Sequence, residues 1–263
     1  MAKFTIVDEA SVPVVDVYPA PFATVHGAVS ARRVSPDRYS TWLIVADLAD
    51  GAVISWPERH GDEGVYVVSG ALDIDRRVCP ADACVIVESN VVTRVTARGA
   101  TRVVHVGPYD PAPPAGDLYG PPTVSDHGVH VVGPGGWFAS GSRERVVARW
   151  FADSTCATCR ISFFHVARAD ALVKDLPHTH TQDEIIYVLD GSVIVGRHEY
   201  GSGHVLCIPA NVRYSVTTGP RGMAFLNYRP DVSTQAYGKA KAPELEGGLA
   251  RGGNAVCDFV TAL

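Results

Sequence analysis

Apolar residues in this chain come in short runs broken by turn residues. The pattern is clearest in the second half. Residues 160–166 (RISFFHV) read as a strand, and 184–189 (EIIYVL) as the next, closed by Asp190-Gly191, a pair suited to a hairpin turn. A strand over 192–195 follows. Gly201-Ser202-Gly203 turns into a strand over 204–208, Pro209-Ala210-Asn211 turns into one over 213–216, and 223–228 completes the set. Many short Val-rich strands with regular turn signals predict an all-β sandwich or barrel.

The pattern occurs twice. Tyr66-Val67-Val68-Ser69-Gly70 aligns with Tyr187-Val188-Leu189-Asp190-Gly191 at an offset of 121. The register holds without a gap from Trp42/Phe163 to Ala97/Thr218, with 12 identities in 56 positions, among them Glu63/Glu184, Arg76/Arg197 and Asn90/Asn211. A fixed register with shared turn residues points to a duplicated domain. The expected plan is an N-terminal barrel over 1–107, a Pro- and Gly-rich linker over 108–144, a C-terminal barrel over 145–230 and a tail over 231–263. The arm before about residue 30 and the tail show little periodicity and are expected to pack on the other barrel.

Composition narrows the function. Net charge is −5 with His neutral, and no basic stripe is present, which argues against nucleic acid or an anionic membrane as partner. The N-terminal residues lack the pattern of a signal peptide, no apolar run is long enough to span a membrane, and a cytoplasmic protein is expected. The six cysteines are then expected to be thiols. Cys156 and Cys159 form one C-x-x-C with no second ligand pair at suitable spacing, so they read as turn residues ahead of a redox pair.

The chemistry lies in Pro177-His178-Thr179-His180-Thr181-Gln182-Asp183-Glu184. Residues two apart on a strand share a face, so His178 and His180 project together, and Glu184 opens the adjoining strand. Two imidazoles and one carboxylate form a set suited to Fe(II) and compatible with Mn, Ni, Co or Zn. Here the sequence resembles the cupin family. Its first motif, G-x5-H-x-H-x3,4-E-x6-G, is matched by His178, His180, Glu184 and Gly191, with Leu172 in place of the leading Gly. Its second, G-x5-P-x-G-x2-H-x3-N, is matched by Gly203 and Pro209, with Asn211, Tyr214 and Thr218 in place of its Gly, His and Asn. The resemblance covers roughly 35–107 and 145–230 and implies two tandem jelly-roll barrels, the second holding one divalent transition metal on His178, His180 and Glu184. Tyr214 would be a weak fourth ligand, a supporting hydrogen bonder or an acid–base group.

In the first copy the offset replaces His178 by Pro57, His180 by Arg59 and Tyr214 by Thr93. Only Glu63 remains, so the first barrel is expected to bind no metal and Arg59 to pair with Glu63. Gln182, His165 and Arg160 are candidate substrate contacts, and Arg197, Asn227 and Tyr228 candidate cavity residues. The leading functional expectation is a metal-dependent enzyme acting on a small polar metabolite, with oxygenase chemistry ahead of isomerase, lyase or aminohydrolase chemistry. In plan the chain is similar to the ureidoglycine aminohydrolases, whose ligands Glu, His, His and Gln would fall at His178, His180, Glu184 and Tyr214; only His180 agrees. A non-enzymatic metal-docked binding protein is the second class. Cupins often dimerise, so a homodimer is expected.

Overall fold

A computed structural model of the chain describes residues 4–111, 128–133, 146–152, 161–231, 233–237 and 244–245. Apart from one 3-10 turn at Glu9–Ser11, the regular structure among these residues is all strand. Arg160, Cys156, Cys159 and Cys257 lie outside the described residues.

The duplication is plain in the backbone. Glu63–Ile74 and Glu184–Val195 are equivalent twelve-residue strands, and Arg77–Pro80 matches His198–Gly201. Left-handed positions recur at the same offset: Gly51 with Leu172, Gly70 with Gly191, Asp75 with Gly196, Asp82 with Gly203, and Asn90 with Asn211. Leu172, standing where the motif has Gly, keeps the backbone angle (φ 57°) of that position, and Asn211 (φ 61°) shows the tolerance for which Asn is suited.

Each copy forms an antiparallel barrel. The first is a nine-stranded sheet in which Glu63–Ile74 lies between Cys84–Val87 and Thr93–Pro108. In the second, a seven-stranded sheet, Glu184–Val195 lies between His204–Ile208 and Thr217–Arg229. Both have alternating faces, one apolar toward a core that includes Trp42, Trp56 and Leu72 in the first barrel and Val188, Leu206 and Phe225 in the second.

The expected packing of the arms on the other barrel holds for the N-terminal arm, whereas the tail strand Thr234–Tyr237 pairs with His178–His180 of its own barrel. Thr5–Asp8 pairs with His204–Ile208, adding an edge strand to the second barrel, while Val129–Val132 does the same for Cys84–Val87 in the first. Behind the arm, the buried Glu9 accepts a 2.7 Å hydrogen bond from the Tyr187 hydroxyl of the second barrel and pairs with Arg102 of the first. A shared apolar layer lies between the barrels, with Tyr66, Val104 and Val106 on one side and Phe163, Ile185 and Tyr228 on the other. Gly64 lets these faces close, since a Cβ there would meet the Phe163 ring at 2.6 Å.

Three local expectations are corrected. Asp190-Gly191 does not close a hairpin: the strand runs on to Val195 with register shifts on both sides of Gly191, and the reversal comes at Gly196-Arg197. Gly191 (φ 68°) admits a bulge rather than a turn, because a Cβ would lie 2.3 Å from the Gly222 carbonyl oxygen. Residues 213–216 are not a strand; Tyr214 makes an isolated bridge to His178. Arg59 is exposed and Glu63 faces away from it, accepting from Trp56 Nε1 at 2.6 Å and lying 2.8 Å from His105 Nε2, whose other nitrogen lies 2.7 Å from the Tyr18 hydroxyl. Cys79, Cys84 and Cys207 are buried thiols, and burial pushes Cys79 and Cys207 up to about 12, so they are unreactive packing residues.

Candidate active site in the C-terminal barrel

His178–His180 is a three-residue strand whose alternation turns both imidazoles inward, with ring centroids 4.9 Å apart. Its edge is paired by Thr234–Tyr237, with His178 opposite Tyr237 and His180 opposite Gln235. His178 Nδ1 lies 2.7 Å from the Leu176 carbonyl oxygen and donates to it, which leaves Nε2 as the lone-pair atom.

Glu184, 1% exposed, is the hub. Its Oε2 accepts from the Tyr214 hydroxyl, and its Oε1 accepts from Asn227 Nδ2 at 2.6 Å and from Arg229 Nη2 at 2.5 Å. Tyr214 Oη and Arg229 Nη2 lie 3.1 Å and 3.4 Å from His180 Nε2. Burial alone would raise the Glu184 carboxyl. The Arg229 guanidinium, His180 and the hydrogen bonds from Tyr214 and Asn227 outweigh it and hold the group at about 2, so it is ionised at neutral pH. Asn227 Oδ1 is buried with no hydrogen-bond partner among the described residues, an acceptor that a ligand donor or ordered water would satisfy.

These groups line one part of a cavity of about 550 Å³. Aromatic and aliphatic side chains line much of the rest, including Trp150 and Phe164, whose rings lie 4.0 Å apart, together with Arg168, Lys174 and Asp175.

His178, His180, Glu184 and Tyr214 thus meet in one place. Gln182 and His165 do not join them. Phe164 and Val166 line the cavity, so His165 between them faces the opposite side, where its ring is parallel to that of Tyr66. Gln182 sits half-buried in the loop between His180 and Glu184, outside the lining. Arg197 lies exposed on its hairpin turn, and Tyr228 belongs to the layer between the barrels. Asn227 is in the lining, as expected. The sequence reading missed Arg229, Gln235 and Tyr237. Strand parity linking Phe225, Asn227 and Arg229 was the available signal for Arg229; nothing marked the other two.

Whether this donor set suits a divalent cation can be judged from its geometry. His178 presents Nε2 with Nδ1 anchored on a carbonyl, the usual state of a metal-bound imidazole. Glu184 is ionised, and its Oε2 lies 3.6 Å from His180 Nε2, so the two side chains face the same space. Among the described residues no group of three His, Cys, Asp or Glu side chains stands close enough together to hold a metal ion as the side chains lie. Positive charge next to Glu184 is supplied by Arg229. The donor types, two imidazoles and a carboxylate, are those a divalent cation takes, and His178, His180 and Glu184 would hold it, with Glu184 Oε1 already occupied by Asn227 and Arg229.

Two antiparallel barrels in tandem are the architecture of the two-barrel cupin fold. No family model matches the chain, and no curated protein matches it. Solved structures do. A protein from Pseudomonas aeruginosa assigned as glyoxylate-induced is 12% identical, with a TM-score of 0.64 over 91% of each chain. A candidate dioxygenase from Nostoc punctiforme is 13% identical, with a TM-score of 0.63 over 91% of this chain and 88% of that one. A point variant of oxalate decarboxylase from Bacillus subtilis is 13% identical, with a TM-score of 0.62 over 90% of this chain and 80% of that one. At this identity the likeness establishes the fold, a bicupin.

Proposed function

We propose that the C-terminal barrel is the active site of a metal-dependent enzyme acting on a small molecule, and that His178, His180 and Glu184 hold the metal. The observation that carries this reading is the burial of two imidazoles, an ionised carboxylate and a tyrosine hydroxyl together in one cavity. A divalent ion there would supply Lewis-acid chemistry or, as iron, oxygen chemistry, and iron remains the preferred metal. The chain's own residues do the rest. Arg229 and Asn227 fix the Glu184 carboxylate. Tyr214 holds a proton at Oη beside that carboxylate and is placed to pass it to a substrate atom. The strand Thr234–Tyr237 covers the histidine strand and limits water. A small molecule and a second copy of the chain are the partners in this reading, and the cytoplasm is its setting.

Elemental analysis of purified protein beside the His178→Ala/His180→Ala variant tests it. About one metal per chain, lost in the variant, is expected. Equal metal content in both proteins would refute the assignment of ligands. The Arg229–Glu184 pair favours a second reading, a metal-free binding protein whose site is already neutralised. Absence of metal after reconstitution with iron, manganese and zinc would select it.

A further inference from the structure

The cavity is far larger than its polar part. A volume of about 550 Å³ is in the range that encloses drug-sized ligands. Its polar groups are those around Glu184 together with Arg168, Lys174 and Asp175, and its apolar wall includes Trp150, Phe164, Val193, Met223 and Phe225. Such walls offer a small, doubly charged acid no contacts and a costly loss of hydration. They suit an apolar body.

Charge selects the head group. Arg229 lies beside Glu184 at the polar end, so the two offset each other, and a divalent ion there would make that end net positive. The exposed Lys174 lies at the cavity's rim with no carboxylate within ion-pair distance among the described residues, whereas Arg168 in the same lining is paired with Asp175. Cationic groups thus stand at the rim and beside Glu184, and the wall of Trp150, Phe164, Val193, Met223 and Phe225 carries no charge.

We infer that the cavity takes an amphipathic carboxylic acid, its carboxylate at the His178/His180/Arg229 end and an apolar body of roughly six to twelve carbons against Phe164 and Trp150. The inference rests on the proposed function of this site and narrows its substrate from a small polar metabolite to an acid with an apolar body.

Calorimetric titration of the Mn(II)-loaded protein with acetate, butyrate, hexanoate, octanoate, 3-phenylpropionate and oxalate tests it. Affinity should rise about fourfold per added methylene along the linear series, as burial of each CH2 predicts. 3-Phenylpropionate should bind more tightly than oxalate, and hexanoate more tightly than 1-hexanol. Val193→Phe, which fills the wall, should weaken octanoate at least tenfold and leave acetate unchanged. A flat series, tighter binding of oxalate, or equal binding of hexanol overturns the inference. So does unchanged octanoate affinity in Val193→Phe; if that variant does not fold, the wild-type series decides alone. Binding of Mn(II) without any acid overturns the substrate class and leaves the metal site standing. Failure to bind Mn(II) as well overturns both.

Discussion

The Glu184–Arg229 pair allows a quantitative test of what holds the C-terminal site together. Both side chains are about 1% exposed, and their charges touch at 2.5 Å. With charge centres about 4 Å apart and an effective dielectric near 20, their attraction is about 4 kcal/mol. Glu184→Gln keeps the shape and removes the negative charge that the buried guanidinium touches. Arg229→Met does the converse to the carboxylate. Each single change should destabilise the chelator-treated protein by about 3–5 kcal/mol at pH 7. The double variant removes both of these charges together and should lose clearly less than the sum, by about 2 kcal/mol or more. Urea unfolding of the four proteins provides the cycle. The sign with pH is fixed as well: Glu184 sits at about 2, below the ordinary 4.5 of an unfolded chain, so the pair's stabilisation is present above about pH 4.5 and is lost as the pH falls toward 2. Losses that add to within about 0.5 kcal/mol would show that the two charges do not stabilise one another, and the reasoning would fail.

Two further predictions concern the junction of the barrels. Burial, and then Arg149, hold His165 down at about 4 against an ordinary 6.5, so the unfolded chain binds more protons between those values. His165 should therefore cost stability as the pH falls from 6.5 to 4, by about 3 kcal/mol at most. In His165→Gln the unfolding free energy should be flatter with pH across that window; an unchanged slope would discount the titration. Gly64→Ala should destabilise by about 1–3 kcal/mol through overpacking on Phe163, and Gly64→Ala/Phe163→Leu should recover part of the loss in thermal unfolding. No recovery would place the strain elsewhere.

The parts legible in the sequence were those with short-range causes. The strand 204–208 was read with its bounds, and the repeat offset was visible because turn residues such as Gly70/Gly191 and Asn90/Asn211 answer to local backbone angles. His178, His180 and Glu184 were brought together by strand parity and one loop. What escaped depends on long-range packing. Arg229 ends an apolar strand, and a charge there looks like a surface terminus until the carboxylate 45 residues earlier is seen beside it. Gln235 and Tyr237 lie in a stretch without periodicity that becomes a strand only against His178–His180. Asp190-Gly191 misled because a left-handed glycine serves a bulge and a turn equally well.

The pairing of Thr5–Asp8 with His204–Ile208 sets an order on how the molecule can be made. Thr5 lies opposite Cys207, about 200 residues on, so at about 5–20 residues per second the ribosome needs on the order of 10–40 s to deliver the partner. During that interval the first barrel can close, with Val129–Val132 sealing its edge, while the leading strand waits with bare amide and carbonyl groups. Closure of the second barrel then captures Thr5–Asp8 against His204–Ile208. A C-terminal half expressed by itself would carry an open edge at His204–Ile208, and adding residues 4–11 as a separate peptide would be the natural way to cover it.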